Sequence, residues 1–272
     1  PRPIALVSSI NSVGEINLSP FSYFNVFGIK PPTLVFSPVT RMRDGTDKDT
    51  LNNVKEHDEV VINMVSYEMV EQMSLTSEEY SKTVNEFDKA GFSQVSSDVV
   101  KPPRVRESPV AFECKVSEVI ALGNGGGAGN LVICEVLLIH IDDEVLNMDE
   151  KLVDPLKADI IGRMGGSWYS RPSEKNLFEV TNISKGLGMG LDLIPEKIRS
   201  SSVLTGNNLG KLGGVEEIPS QHEVDEFKKN PVVSDILVRI KGEEEKQKSL
   251  HLLAQQYLNE GDVYHAWLTL LQ

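Results

Sequence analysis

The chain has 272 residues, with 27 lysines and arginines against 40 aspartates and glutamates, for a formal net charge of -13. So acidic a balance argues against a nucleic-acid or anionic-membrane binder, because both require a basic face that releases counterions. Hydrophobic residues at 40% and charged residues at 25% describe a soluble globular protein, expected in the cytoplasm. No apolar run reaches the ~18–20 residues of a membrane span.

Residues 4–10 predict a strand, closed by a turn at 11–14, with 15–18 beginning the return. Residues 33–37, after Pro31-Pro32, and residues 59–65 predict two more strands. Between these, the spacing of Leu51 and Val54 predicts a helix over 49–57, behind a polar loop at 38–47. From 67 to 91 the pattern turns helical, with Met69, Val70, Met73, Val84 and Phe87, and the methionines read as core filler. Residues 110–122 and 131–141 are long β runs joined by a glycine-rich connection, the pattern of an antiparallel hairpin. Cys114 and Cys134 fall in these runs and read as buried small hydrophobes rather than as a disulfide or a zinc site. Residues 142–177 are mixed and hold Arg163-Met164-Gly165-Gly166-Ser167-Trp168-Tyr169.

The expected organisation is a main domain over 1–180, a glycine-rich covering segment over 181–219 and a C-terminal helical extension over 220–272. Ser220 and Glu223 make a capping box. Residues 243–272 predict two helices broken at 259–262, with Leu250, Leu253, Ala254, Tyr257 and Leu258 on the face of the first. One such hairpin cannot bury a continuous core alone, so it is expected to pack on the main domain or on a partner subunit.

Two glycine motifs are set aside. Gly123-Asn124-Gly125-Gly126-Gly127-Ala128 has dinucleotide-fingerprint spacing but precedes a strand, whereas the fingerprint needs a helix N-terminus behind it. Gly206-Asn207-Asn208-Leu209-Gly210-Lys211 is one residue short of a phosphate loop and has no hydroxyl residue after the lysine. The histidines, at 57, 140, 222, 251 and 265, form no close pair, and no metal site is expected.

The informative stretch is the first fifty residues. It holds Pro1-Arg2-Pro3-Ile4-Ala5-Leu6-Val7-Ser8-Ser9, Asn17-Leu18-Ser19-Pro20-Phe21-Ser22-Tyr23-Phe24, Pro31-Pro32-Thr33-Leu34-Val35-Phe36-Ser37-Pro38 and Lys48-Asp49-Thr50-Leu51-Asn52-Asn53. Asp49 or Thr50 could cap the helix, and with Lys48 and Arg41 or Arg43 nearby its N-terminus suits a phosphate. A plain surface cap with solvated cations fits the same spacing equally well.

These strings, in this order, resemble the flavin reductase-like, FMN-binding split-barrel proteins of the flavoredoxin type, from Pro1 to about Val180. The resemblance implies a mainly β fold with α elements, a six-stranded antiparallel Greek-key barrel. It also implies a homodimer with FMN near the subunit interface. Family members often carry a helix before the Arg-Pro string, so the start at Pro1 is expected to be a trimmed one. By the same resemblance, Asn17, Leu18, Ser19, Pro20, Phe21 and Ser22 line the flavin ring, and Ser8 and Ser9 reach the ring or ribityl chain. Ser37, Arg41, Lys48, Asp49 and Thr50 hold the phosphate. Phe21 and Tyr23 fit barrel core as well as flavin contact. Arg163, Trp168 and Tyr169 are expected to wall the flavin face where a substrate stacks, with a purely structural Trp168 as the alternative. The implied activity is hydride transfer from NAD(P)H to FMN, with no catalytic side chain. The alternatives are an electron carrier that serves a redox protein partner and a non-redox scaffold with a helical interaction tail.

Overall fold

The strand β1 (Ala5–Ile10) is buried along nearly its whole length, because both of its faces meet other layers. Ala5 and Val7 point into one core and Leu6 into another, as the period of two requires. It is the second strand of a seven-stranded antiparallel sheet whose other members are β2 (Ile16–Phe21), β3 (Phe24–Ile29), β4 (Pro32–Phe36), β5 (Glu59–Met64), β6 (Val110–Ala121) and β7 (Asn130–Ile141). The strand order is β2-β1-β5-β6-β7-β4-β3. Here β2 and β3 sit at opposite edges, yet only Ser22 and Tyr23 separate them in sequence. Consecutive Cα atoms are ~3.8 Å apart, so the sheet must curl until the linked ends of its two edge strands meet. That closure makes it a split barrel.

This is a computed structural model, and it describes residues 1–147, 149, 151–180 and 187–272. Residues 181–186, where the expected covering segment begins, lie outside the described residues.

The barrel interior is filled by Val7, Phe21, Phe36, Val60, Ile62, Cys114, Val132 and Cys134, together with Leu51 and Val54 of α1 (Asp49–Glu56). Burial pushes the Cys134 thiol up to about 12 and the Cys114 thiol in the same direction, so both behave as packing groups. Seven strands stand where the resemblance implies six. The strand that sequence patterning passes over is β3, which buries Phe24 and exposes Val26, Phe27 and Ile29, leaving no amphipathic alternation to read.

The second face of β1 and β2 packs through Leu6 and Leu18 against Met69, Met73, Phe87 and Ile161. The helical pattern over 67–91 resolves into short pieces, chiefly α2 (Val70–Leu75) and α3 (Glu86–Ala90). Hydroxyls break it: Thr76 and Ser77 donate to the carbonyls of Met73 and Ser74 at 2.8 and 2.6 Å, competing with continuation of the helix.

The chain divides into two compact units, Pro1–Phe178 and Glu179–Gln272. In the second, α4 (Gly206–Gly213), α5 (Gln221–Phe227), α6 (Pro231–Arg239), α7 (Glu243–Asn259) and α8 (Val263–Leu270) are helical. The expected capping box at Ser220 and Glu223 is present. The hairpin of α7 and α8 buries Ala254, Leu258, Ala266 and Trp267 against Ile194, Ile198, Leu204 and Leu212. The glycine-rich segment thus supplies an apolar surface that a lone hairpin lacks. A Cβ on Gly213 would lie 3.0 Å from the Gly190 carbonyl carbon, a tight contact that glycine at this position avoids. Trp267 is 1% exposed and donates its indole N–H to the Leu212 carbonyl. Trp267→Ala is expected to cost about 3–5 kcal/mol, read by urea unfolding.

Candidate functional site

Two places in the first unit gather the residues singled out by sequence. The first is the N-terminus of α1. Its N-cap is Lys48, which makes no side-chain cap. Neither Asp49 nor Thr50 caps the helix, contrary to the expectation from spacing. Asp49 turns to Arg41 at 3.4 Å, and the Thr50 hydroxyl donates to Asn17 at 2.6 Å. The amides of Leu51 and Asn52 bond back to the Lys48 carbonyl, which leaves those of Asp49 and Thr50 as the leading donors.

Lys48 makes no ion pair among the described residues, and its ammonium lies 5.8 Å from the centre of the Phe21 ring. Burial, and then the Arg41 charge, pull its pKa below the usual lysine value. An anion placed there would offset both effects. Arg41 is held by Asp49 and by Glu79 at 3.3 Å. In front of the helix an open hollow of about 630 Å³ is lined by Arg41, Thr46, Asp49, Asn52, Tyr80 and Lys82.

Asn17 is pinned between Thr50 and Glu86, donating to the latter at 2.9 Å, while the Leu18 amide donates to Glu86 at 3.0 Å. Burial raises the Glu86 carboxyl, against the hydrogen bonds from Leu18 and Asn17. Glu86 lies 69 residues from Asn17, and no local pattern announces it. The Leu18 bond also fixes the phase of the edge strand. If the Leu18 N–H points outward, so do Pro20, which has none, and Ser22. Of the expected ring-lining run, Pro20 and Ser22 therefore face the open edge, whereas Leu18 and Phe21 are core residues, with Phe21 and Phe36 centroids 5.3 Å apart. Ser19 is half-buried.

Three other expected cofactor residues make hydrogen bonds within the chain. Ser8 and Ser9 are fully buried, Ser8 donating to the Pro103 carbonyl at 2.5 Å and Ser9 accepting from Asn53 at 3.0 Å. Ser37 accepts the Asn130 amide at 3.1 Å.

The second place is a cleft of about 780 Å³ into which Pro20, Ser22, Arg163 and Tyr169 all face. Its size suits a drug-sized or cofactor-ring ligand. Arg2, Tyr23, Tyr67 and Arg171 complete its polar walls. Arg2 is in the first quoted string but had no assigned role, and Arg171 lies just past the Tyr169 string, so both were within reach of the sequence. Trp168 is 78% exposed and is outside the cleft lining.

A third cluster was not expected at all. Glu113, fully buried on β6, accepts the amides of Asp98, Val99 and Val100 and lies 2.7 Å from His140 Nε2. Asp98, Glu113 and His140 are close enough for shared ligation, but Glu113 already faces four donors and the Arg104 guanidinium at 3.9 Å. That is the environment of a buried carboxylate that fastens a loop to the sheet.

Among the described residues no helix is long and apolar enough to cross a membrane. The Flavin reductase like domain family matches residues 1–155, within the first unit. An uncharacterized protein of Aquifex aeolicus is 44% identical over 170 residues, covering 62% of this chain and 83% of the relative. Among solved structures, nitrilotriacetate monooxygenase component B from Bacillus cereus is similar at 27% identity and a TM-score of 0.61, covering 66% of this chain and 87% of that one. The 2-nitrobenzoate 2-nitroreductase of Pseudomonas fluorescens is similar at 31% identity and a TM-score of 0.58, covering 69% and 89%. With the family match spanning more than half of its length and a split barrel beneath it, the chain belongs to the flavin reductase-like family.

Proposed function

We propose that the chain is an FMN-binding oxidoreductase of the cytoplasm that takes hydride from NAD(P)H. The observation that carries this reading is the start of α1, where a lysine with no carboxylate partner among the described residues occupies the N-cap, next to two leading amides and the positive end of the helix dipole. That donor set fits the phosphate of FMN. Lys48 and the amides of Asp49 and Thr50 would hold it, with Ser22 and the open edge of β2 toward the ring. Bound FMN supplies the two-electron chemistry. The protein's part is to fix the cofactor and to stack the donor against it in the cleft, and no side chain need move a proton. Mixing the purified chain with FMN, then measuring flavin absorbance on protein recovered by gel filtration, tests this directly. Stoichiometric retained flavin supports the reading, and its complete loss sinks it.

The same reading includes a homodimer. Leu137, Ile139 and Ile141 of β7 are exposed at alternate positions, and Val26, Phe27 and Ile29 of β3 are exposed two strands away, apolar side chains that a partner subunit would cover. Ile139→Asp is expected to give a monomer by light scattering. A variant that stays dimeric would place the contact elsewhere.

A further inference from the structure

The small sheet beside the cleft carries an unfavourable pairing. Arg2 and Arg163 are direct partners across antiparallel strands Arg2–Pro3 and Gly162–Gly165. Directly opposed residues share a face of the sheet with Cβ atoms ~5 Å apart, and like charges there repel. Both side chains line the cleft. Neither forms an ion pair among the described residues. Arg2 donates to the Ser22 hydroxyl at 3.2 Å, and Arg163 donates to the Tyr169 hydroxyl and the Gly166 carbonyl. Each guanidinium lies on a tyrosine ring, Arg2 at 5.4 Å from the centre of Tyr23 and Arg163 at 4.7 Å from that of Tyr169. The third arginine of the cleft, Arg171, is neutralised by a two-pronged pair with Asp159. Among the described residues, Glu71 is the only carboxylate lining the cleft. A protein with a net charge of -13 thus keeps two arginines without ion-pair partners among the described residues at directly paired positions lining one cleft.

We infer that Arg2 and Arg163 form an oxyanion clamp for a planar organic anion, whose charged group lies between the two guanidinium groups and whose ring stacks within the tyrosine-walled cleft. The oxyanion relieves the cross-strand repulsion, and each planar guanidinium offers paired N–H donors to it. An aromatic carboxylate meets this description, as does a nicotinamide dinucleotide through its diphosphate. The inference builds on the oxidoreductase reading by naming the class of molecule that enters the cleft, but it can be tested without flavin.

Calorimetric titration of the flavin-free full chain with benzoate and with the isosteric neutral benzamide is the first arm. Benzoate should bind at least tenfold more tightly than benzamide, and Arg2→Gln or Arg163→Gln should each remove at least tenfold of that affinity, with Arg163→Lys restoring part. The second arm uses the FMN-loaded chain. A rise in KM for NADH in Arg163→Gln, with kcat held, identifies the dinucleotide diphosphate as the anion, and an unchanged KM identifies a carboxylate. Equal binding of benzoate and benzamide, or failure of benzoate to bind, overturns the clamp. So does loss of FMN affinity in the glutamine variants, which would make the pair part of the cofactor site. Failure of the wild-type chain to take up FMN, with benzoate selectivity intact, contradicts the oxidoreductase reading and leaves the clamp standing.

Discussion

Replacing Lys48 with alanine is expected to weaken FMN binding about 10- to 100-fold while leaving riboflavin binding within about twofold. A charge-assisted hydrogen bond is worth about 1.5–3 kcal/mol, which is the source of the larger range. The riboflavin comparison isolates the phosphate, because the two molecules share the ring and the ribityl chain. Lys48 is suited to the role by the absence of an ion-pair partner among the described residues and by its place at the N-cap, beside the amides of Asp49 and Thr50. Arg41 is a poorer candidate for the main contact, since Asp49 and Glu79 already hold it. Flavin fluorescence titration reads both affinities. Equal loss of FMN and riboflavin would mean that the substitution disturbs the barrel mouth around Phe21 rather than removing a phosphate contact.

Glu113→Ala is expected to destabilise the first unit by about 3–5 kcal/mol, as removal of one partner from a buried charged network does. It would leave three backbone amides, His140 and Arg104 facing a cavity in place of a carboxylate. Glu113→Gln keeps the shape and part of the acceptor capacity, and should cost less. Burial alone would raise the Glu113 carboxyl, but the amides of Asp98 and Val99, the His140 ring and the Val100 amide outweigh it and hold the pKa below the ordinary value. A depressed folded-state pKa stabilises the protein above the unfolded carboxylate value of ~4.3, and that contribution is lost as pH falls through the folded value. Urea midpoints should therefore fall more steeply below about pH 4.5 in the wild type than in Glu113→Gln. Parallel curves would show that Glu113 does not carry the ionised charge assigned to it.

Strands β1, β2, β4 and β5, the long hairpin of β6 and β7, the helix α1 and the paired helices α7 and α8 were all legible, because each carries a clean period or turn signal. The curl that brings β2 and β3 together was not, since it depends on the pairing order of strands remote in sequence. The site divides the same way. Ser22, Arg163 and Tyr169 stand in local strings and line the cleft, and Lys48 stands in another at the N-cap of α1. Ser8 and Ser9 look identical in sequence to ligand-facing hydroxyls, but their partners, Pro103 and Asn53, come from 95 and 44 residues away. The cross-strand pairing of Arg2 with Arg163 was hidden for the same reason, although both residues were in plain view.

This protein is proposed to bind a flavin that a nicotinamide reduces. The most direct test is the absorbance spectrum of the FMN-reconstituted full chain before and after anaerobic addition of NADH, and separately of NADPH. The expected result is bound FMN whose oxidised band bleaches with at least one of the two nucleotides. A bound flavin that stays oxidised with both would contradict it and point instead to a carrier reduced by a protein partner.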